Sequence, residues 1–99
     1  MTRMRKLAEI IYGPQVWIQN SYEEGAKVCL LGGLGKLLGC QPETIGDDDP
    51  EYQRLIRAIQ EETGGFHDDV ANWNDNPSTT FTEVARVVSA YDRLRMFNS

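Results

Sequence analysis

NWNDNPSTTFTEVARVVSAYDRLRM, Asn72 to Met96, decides the fold. Its second part carries Phe81, Val84, Ala85, Val88, Tyr91 and Leu94 at helical intervals, a steady stripe on one side. Arg86, Asp92, Arg93 and Arg95 fall on the other faces. The start is marked as well. Thr80-Phe81-Thr82-Glu83 fits a capping box, with Thr80 accepting from the Glu83 amide and Glu83 reaching back to the Thr80 amide. The pattern predicts a long helix over Phe81–Met96. Upstream, Asn74, Asp75 and Asn76 are expected to close local side-chain-to-backbone turns, and Pro77 stiffens the connection. Trp73 is expected to anchor the loop in the core through its large ring.

The same stretch imitates a calcium loop. Counting from Asn72, the ligand positions hold Asn72, Asn74, Asn76, Ser78, Thr80 and Glu83, all bearing oxygen. The charge is wrong, because only Glu83 brings a formal negative charge. The turn is wrong too, because Pro77 stands where such a loop needs glycine. A helix entrance pinned by Trp73 explains the stretch better than a metal site.

Further helical patterns lie upstream. The first covers Arg3 to Tyr12, with Thr2 as N-cap, Met4, Leu7, Ala8 and Ile11 as its apolar stripe, and Gly13-Pro14 as its stop. The second covers Lys27 to Leu38. The third has Asp49 as N-cap and Pro50 in the first position, where no amide hydrogen is needed. Tyr52, Leu55, Ile56 and Ile59 share its inner face, and Thr63-Gly64-Gly65 ends it. A short helix is expected over Phe66–Trp73, with Phe66, Val70 and Trp73 on one side. In Gln15–Glu24, Val16 and Ile18 alternate with Gln15 and Gln19, as in an extended piece or small hairpin. The fold class is therefore mainly α, a single compact domain of four to five helices spanning 1–99, with a short two-stranded β ribbon near residues 15–28. The expected core draws on Leu7, Ile11, Trp17, Leu30, Leu34, Leu55, Ile59, Trp73, Val84, Val88 and Tyr91.

A chain of 99 residues fits one domain and can bury a core without metal or disulfide help. No run of apolar residues is long enough to span a membrane. The basic N-terminus is followed by an apolar run broken at Glu9, so no secretory leader is expected. Two cysteines, Cys29 and Cys40, are too few for a disulfide framework and point to a reduced, cytoplasmic setting. The net charge of −5 is unevenly placed. Residues 41–80 hold two Arg against ten Asp and Glu, a net −8, while both flanks are slightly basic. Phosphate would be repelled by that middle segment, so general nucleic-acid binding is not expected.

VCLLGGLGKLLG, Val28 to Gly39, invites two nucleotide readings and fails both. As a phosphate loop it has Leu30 where the first glycine belongs, and Leu37 where Ser or Thr should meet magnesium. As a dinucleotide fingerprint it starts Gly33-x-Gly35, but the third glycine comes one residue late at Gly39. An apolar helix accounts for it. Leu30, Leu31, Leu34, Leu37 and Leu38 make a buried stripe, and Gly32, Gly33 and Gly35 are tolerated if another backbone packs closely there. Cys29 and the single His67 suggest a cysteine hydrolase. Cys29, however, sits in an apolar run, as a small core residue does, and His67 stands beside Asp68 and Asp69 at the surface. Two Cys and one His also lack the paired spacing of a zinc site. No cofactor and no metal is expected.

Three motifs together resemble a known family. The first is Trp17-Ile18-Gln19. The second is Val28-Cys29-Leu30-Leu31-Gly32-Gly33-Leu34. The third is Trp73-Asn74-Asp75, followed by Thr80 and by Glu83-Val84. They resemble a family of small uncharacterised proteins, a domain of unknown function common in actinobacteria and their phages. The resemblance covers Leu7 to Tyr91. Two positions depart from the family pattern, Asn20 where members carry Gly and Gly33 where they carry Ala. What the resemblance implies is a compact, mainly helical intracellular protein, phage-encoded, with no activity attached.

The expected function is that of a non-enzymatic protein-binding module acting on a host protein. Asp47, Asp48, Asp49, Glu51, Glu61, Glu62, Asp68 and Asp69 are the expected contact residues. The competing expectation is a small-ligand binder or enzyme that uses Trp73, Asn74 and Asp75 with Cys29 or His67. That arrangement requires these residues to line one open pocket. A homodimer is a third expectation, and no membrane partner is expected.

Overall fold

The computed structural model describes residues 5–97. The described residues form five helices and one ribbon: α1 (Leu7–Ile10), β1 (Glu23–Glu24), β2 (Lys27–Val28), α2 (Leu30–Leu38), α3 (Pro50–Thr63), α4 (Val70–Asp75) and α5 (Phe81–Phe97). Two 3-10 turns, Pro14–Val16 and Pro42–Thr44, fill connections. The mainly helical fold with a two-stranded ribbon is as expected. None of the described helices is long and apolar enough to cross a membrane.

α3 and α5 pack along each other and form the frame. α3 begins as its sequence predicts, with the Asp49 carboxylate accepting from the Glu51 amide at 2.8 Å and Pro50 in the first turn. Gly64 ends it at φ 70°, a conformation glycine adopts without steric cost. Its buried face is Tyr52, Leu55, Ile56, Ala58 and Ile59. α5 starts at the Thr80–Glu83 box, where the Thr80 amide donates to Glu83 at 2.9 Å and the Glu83 amide donates to Thr80 at 3.4 Å. It buries Val84, Val87, Val88, Ala90 and Tyr91. The two helices are also locked by polar groups. Tyr91 donates to Glu51 at 2.6 Å, and Glu51 pairs with Arg54 at 2.7 Å and Arg95 at 3.8 Å.

α1 packs on α5 and α2, and α2 packs on α4. α1 is shorter than the apolar stripe predicts. Arg5 and Lys6 lie outside the helix, and Ile11 closes it. The expected N-cap Thr2 and stripe residue Met4 lie outside the described residues. Among those described, Lys6 occupies the N-cap position, and its amide donates to Glu9 at 2.8 Å. The amides of Leu7 and Ala8 donate to the Asp92 carboxylate of α5, at 2.7 and 3.0 Å. Asp92, expected on a free face, therefore caps a helix 84 residues upstream.

α2 also begins later than expected. Lys27 and Val28 pair with Glu24 and Glu23 as a hairpin, and Cys29 is extended at ψ 178°. The ribbon therefore sits at the end of the expected 15–28 window. Its beginning is a 3-10 turn, with Ile18 donating to Val28 at 3.1 Å. Within α2, Leu30, Leu31 and Leu34 are buried. Each contributes about 1.5–3 kcal/mol on burial, against a helix penalty of about 1 kcal/mol per glycine, so the helix forms despite its composition. The glycines answer a close approach. A Cβ on Gly32 would stand 2.0 Å from the Tyr22 carbonyl oxygen, and one on Gly35 would stand 2.8 Å from that of Cys40. The Tyr22 carbonyl accepts from the Cys29 amide at 3.1 Å, so it cannot withdraw without breaking the entry to α2.

Two further expectations change. α4 starts at Val70 instead of Phe66, because Asp69 is extended at φ −140° and caps the helix by accepting from Asn72 at 2.9 Å. Val70 and Trp73 do share its buried side, but Phe66 is 85% exposed. Ten of the eleven expected core residues are buried. Trp17 is half-buried against the core, with its ring 6.1 Å from that of Phe81.

Gly32→Ala should destabilise the fold by about 1–3 kcal/mol, since the clash is with tethered backbone, and the small helix-propensity gain cannot offset it. Urea unfolding followed by circular dichroism measures it; unchanged stability would mean the hairpin does not lie on α2 as described.

Candidate functional site

Trp73, Asn74 and Asp75 form the last half of α4. Trp73 is buried at 6% exposure, as its anchoring role predicts, and Asn74 is completely buried. The carboxamide of Asn74 is the junction of the molecule. Its Oδ1 accepts from the indole Nε1 of Trp17 at 2.8 Å and from the amide of Leu30 at 3.0 Å. Both are pure donors, which fixes which way the amide points. Its Nδ2 donates to the Ile18 carbonyl at 3.1 Å and to Asp75 Oδ1 at 2.9 Å. All four of its hydrogen-bonding positions are filled.

Neighbouring groups extend the junction. Asp75 Oδ1 also accepts from the Asn20 amide at 2.8 Å, and Asn20 takes a left-handed conformation at φ 68° to present it. Gln19 Nε2 donates to the carbonyls of Asn74 at 3.0 Å and Asn76 at 2.8 Å, and Thr79 Oγ1 donates to that of Trp73 at 2.8 Å. These are carbonyls at or beyond the end of α4, the kind a helix leaves unpaired. Of the three residues expected to close local turns, only Asn76 does so, accepting from Ser78. Asn74 and Asp75 reach instead to the Trp17–Asn20 segment and to α2.

Cys29 is 3% exposed, and its Sγ accepts from the Gly32 amide at 3.3 Å, so it caps α2. Burial pushes its thiol above the ordinary value, so it stays protonated at neutral pH. His67 is half-buried beside a small cleft of about 170 Å³ that it lines with Phe66, Asp68, Asp69, Asn72, Trp73 and Asn76. Cys29, Asn74 and Asp75 do not line that cleft. The residues required by an enzyme or ligand site are thus not brought together in one open pocket. No group of three or more potential metal ligands occurs among the described residues.

The eight acidic residues divide by role. Asp49 and Asp69 cap helices, and Glu51 joins α3 to α5. Glu61 pairs with Arg57 at 3.4 Å and Glu62 with Arg93 at 3.6 Å. Asp47, Asp48 and Asp68 are exposed. The Tyr52 hydroxyl accepts from the Val70 amide, next to Asp69, at 3.2 Å, and the neighbouring Gln53 donates to the Asp47 carbonyl. Burial raises the Tyr52 hydroxyl above its usual value, and the charges of Asp69, Asp47 and Asp68 add to that rise. The two acidic segments, separated in sequence by the whole of α3, therefore both adjoin the start of that helix.

A family model described as a family of unknown function (DUF6197) matches residues 3–91. The chain belongs to DUF6197. No curated protein and no solved structure matches it.

In this DUF6197 member the three sequence motifs that carry the resemblance meet at one place. Trp17 and Gln19, Leu30, and Asn74 and Asp75 are joined by the bonds just described. Sequence reasoning missed Asn20 and Asp92 because their partners lie 55 and 85 residues away. A polar residue adjoining a buried Trp was the available signal for Asn74.

Asn74→Ala leaves the Trp17 indole and the Leu30 amide without an acceptor. Each buried unsatisfied group costs about 1–3 kcal/mol, so a loss of about 3–4 kcal/mol is expected in a denaturant melt. Iodoacetamide should label exposed Cys40 in the native protein and reach Cys29 only on unfolding, as read by mass spectrometry. The raised Cys29 thiol also sets a pH dependence. Below the ordinary value of 9.0 both folded and unfolded chains keep the proton, and its stabilising effect is complete. Above it the unfolded chain ionises first, so stability falls as pH rises, with Tyr52 and Tyr91 acting in the same direction above 10.0.

Proposed function

We propose that this DUF6197 member is a non-enzymatic protein-binding module, phage-borne and cytoplasmic, whose partner is a host protein with a basic surface. The observation that carries the reading is that both acidic segments adjoin the start of α3, through the Gln53–Asp47 and Val70–Tyr52 bonds, with Asp47, Asp48 and Asp68 exposed. Helix capping and ion pairs already occupy the other acidic residues, so the contact narrows to the α3 entrance and the α3–α4 loop. Cys29, Asn74 and Asp75 are engaged within the fold, whereas Asp47, Asp48 and Asp68 are exposed. A patch of one sign raises the association rate with an oppositely charged surface and orients the encounter.

Combined Asp47→Lys, Asp48→Lys and Asp68→Lys substitutions should leave stability nearly unchanged, because these side chains are exposed. Affinity capture from host lysate with wild type and variant side by side is the test. Capture of the partner should fall by about tenfold or more in the variant and should weaken with added salt in the wild type. Equal capture by both would remove the acidic contact.

A further inference from the structure

We propose that the cleft between Phe66 and α4 receives an arginine side chain of a protein partner. The inference rests on the protein-binding reading above and names the group that is recognised. Phe66 stands 85% exposed, so folding does not account for an aromatic at this position. Phe66 borders the same cleft of about 170 Å³ that His67, Asp68, Asp69, Asn72, Trp73 and Asn76 line. The lining of the site thus combines an exposed aromatic ring with a pair of carboxylates. Asp69 Oδ1 is committed to the Asn72 amide at 2.9 Å, while Asp68 is exposed.

Few side chains satisfy both kinds of group. An apolar side chain would cover the carboxylates and leave them without water or a donor, which is unfavourable. An anion is repelled by them and by the net charge of −8 over residues 41–80. Lysine supplies charge, but as a compact, strongly hydrated point. A guanidinium is planar, stacks on an aromatic face and directs its N–H groups sideways to carboxylate oxygens. Arginine therefore suits the aromatic ring and the carboxylates together.

The test is a 1H–15N NMR titration of the full chain with acetyl-Gly-Arg-Gly-amide, beside its lysine and glutamine counterparts. The arginine peptide should give saturable shifts at Phe66, Asp68, Asp69, Asn72 and the Trp73 indole. Lysine should bind more weakly, and glutamine should not bind. Phe66→Ala and Asp68→Asn should each weaken the arginine peptide about two- to fivefold, with an unchanged melting temperature. Equal shifts from the glutamine peptide, or wild-type binding by Phe66→Ala, would overturn the proposal. Phe66→Ala also separates the two readings. A captured partner lost by the acidic reversal but retained by Phe66→Ala refutes the arginine cleft and leaves the acidic face standing. Peptide binding with no partner captured by any variant supports the cleft and counts against the host-protein module.

Discussion

The carboxamide of Asn74 is the interaction on which the arrangement of the other parts depends. It sits at zero exposure and fills both acceptor and both donor positions. Three of its bonds reach Trp17, Ile18 and Leu30, which are 44 to 57 residues away. A hydrophobic contact could hold these segments near α4, but many near-equivalent placements would satisfy it. A fully satisfied buried polar network permits one placement, because any shift strands a donor or an acceptor in a low-dielectric interior. The start of α2, the Trp17–Asn20 segment and the end of α4 are fixed relative to one another in this way.

The same logic recurs at the other weak elements. α1 has four residues, too few to be stable alone, and its first amides are held by Asp92 from α5. α2 carries three glycines, and its first amide is held by Asn74 from α4. By contrast, α3 and α5 are long and carry their own caps, Asp49 and the Thr80–Glu83 pair. The molecule is thus a self-specified pair of helices with smaller elements whose ends are completed by side chains from elsewhere.

That division explains what was legible in the sequence. Caps, stripes and stops within a few residues of each other located α3 and α5 nearly to the residue. The glycine face of α2 was legible as a close backbone approach, although the approaching strand was not. Lys27 and Val28 were read as helix because the leucine stripe downstream hid the hairpin. Phe66 was read as the buried start of a helix because i, i+4 spacing to Val70 carries no information about Asp69 turning the chain. Asn74 was read as a local turn former because its partners are separated from it by half the chain. In each failure a long-range partner decided the outcome, and a single sequence does not display such partners.

Helix ends explain why the ligand-like motif proved architectural. Each helix leaves four amides at its start and four carbonyls at its end without internal partners. Five helices among the described residues create many such groups within a small volume. Asn, Asp, Gln and Thr near helix ends are drawn into that role, which also sets oxygen atoms at the spacing a cation loop uses. Not every polar residue is required for capping. In this fold Asp47, Asp48 and Asp68 are exposed instead, together with an aromatic ring, Phe66, that the core does not use.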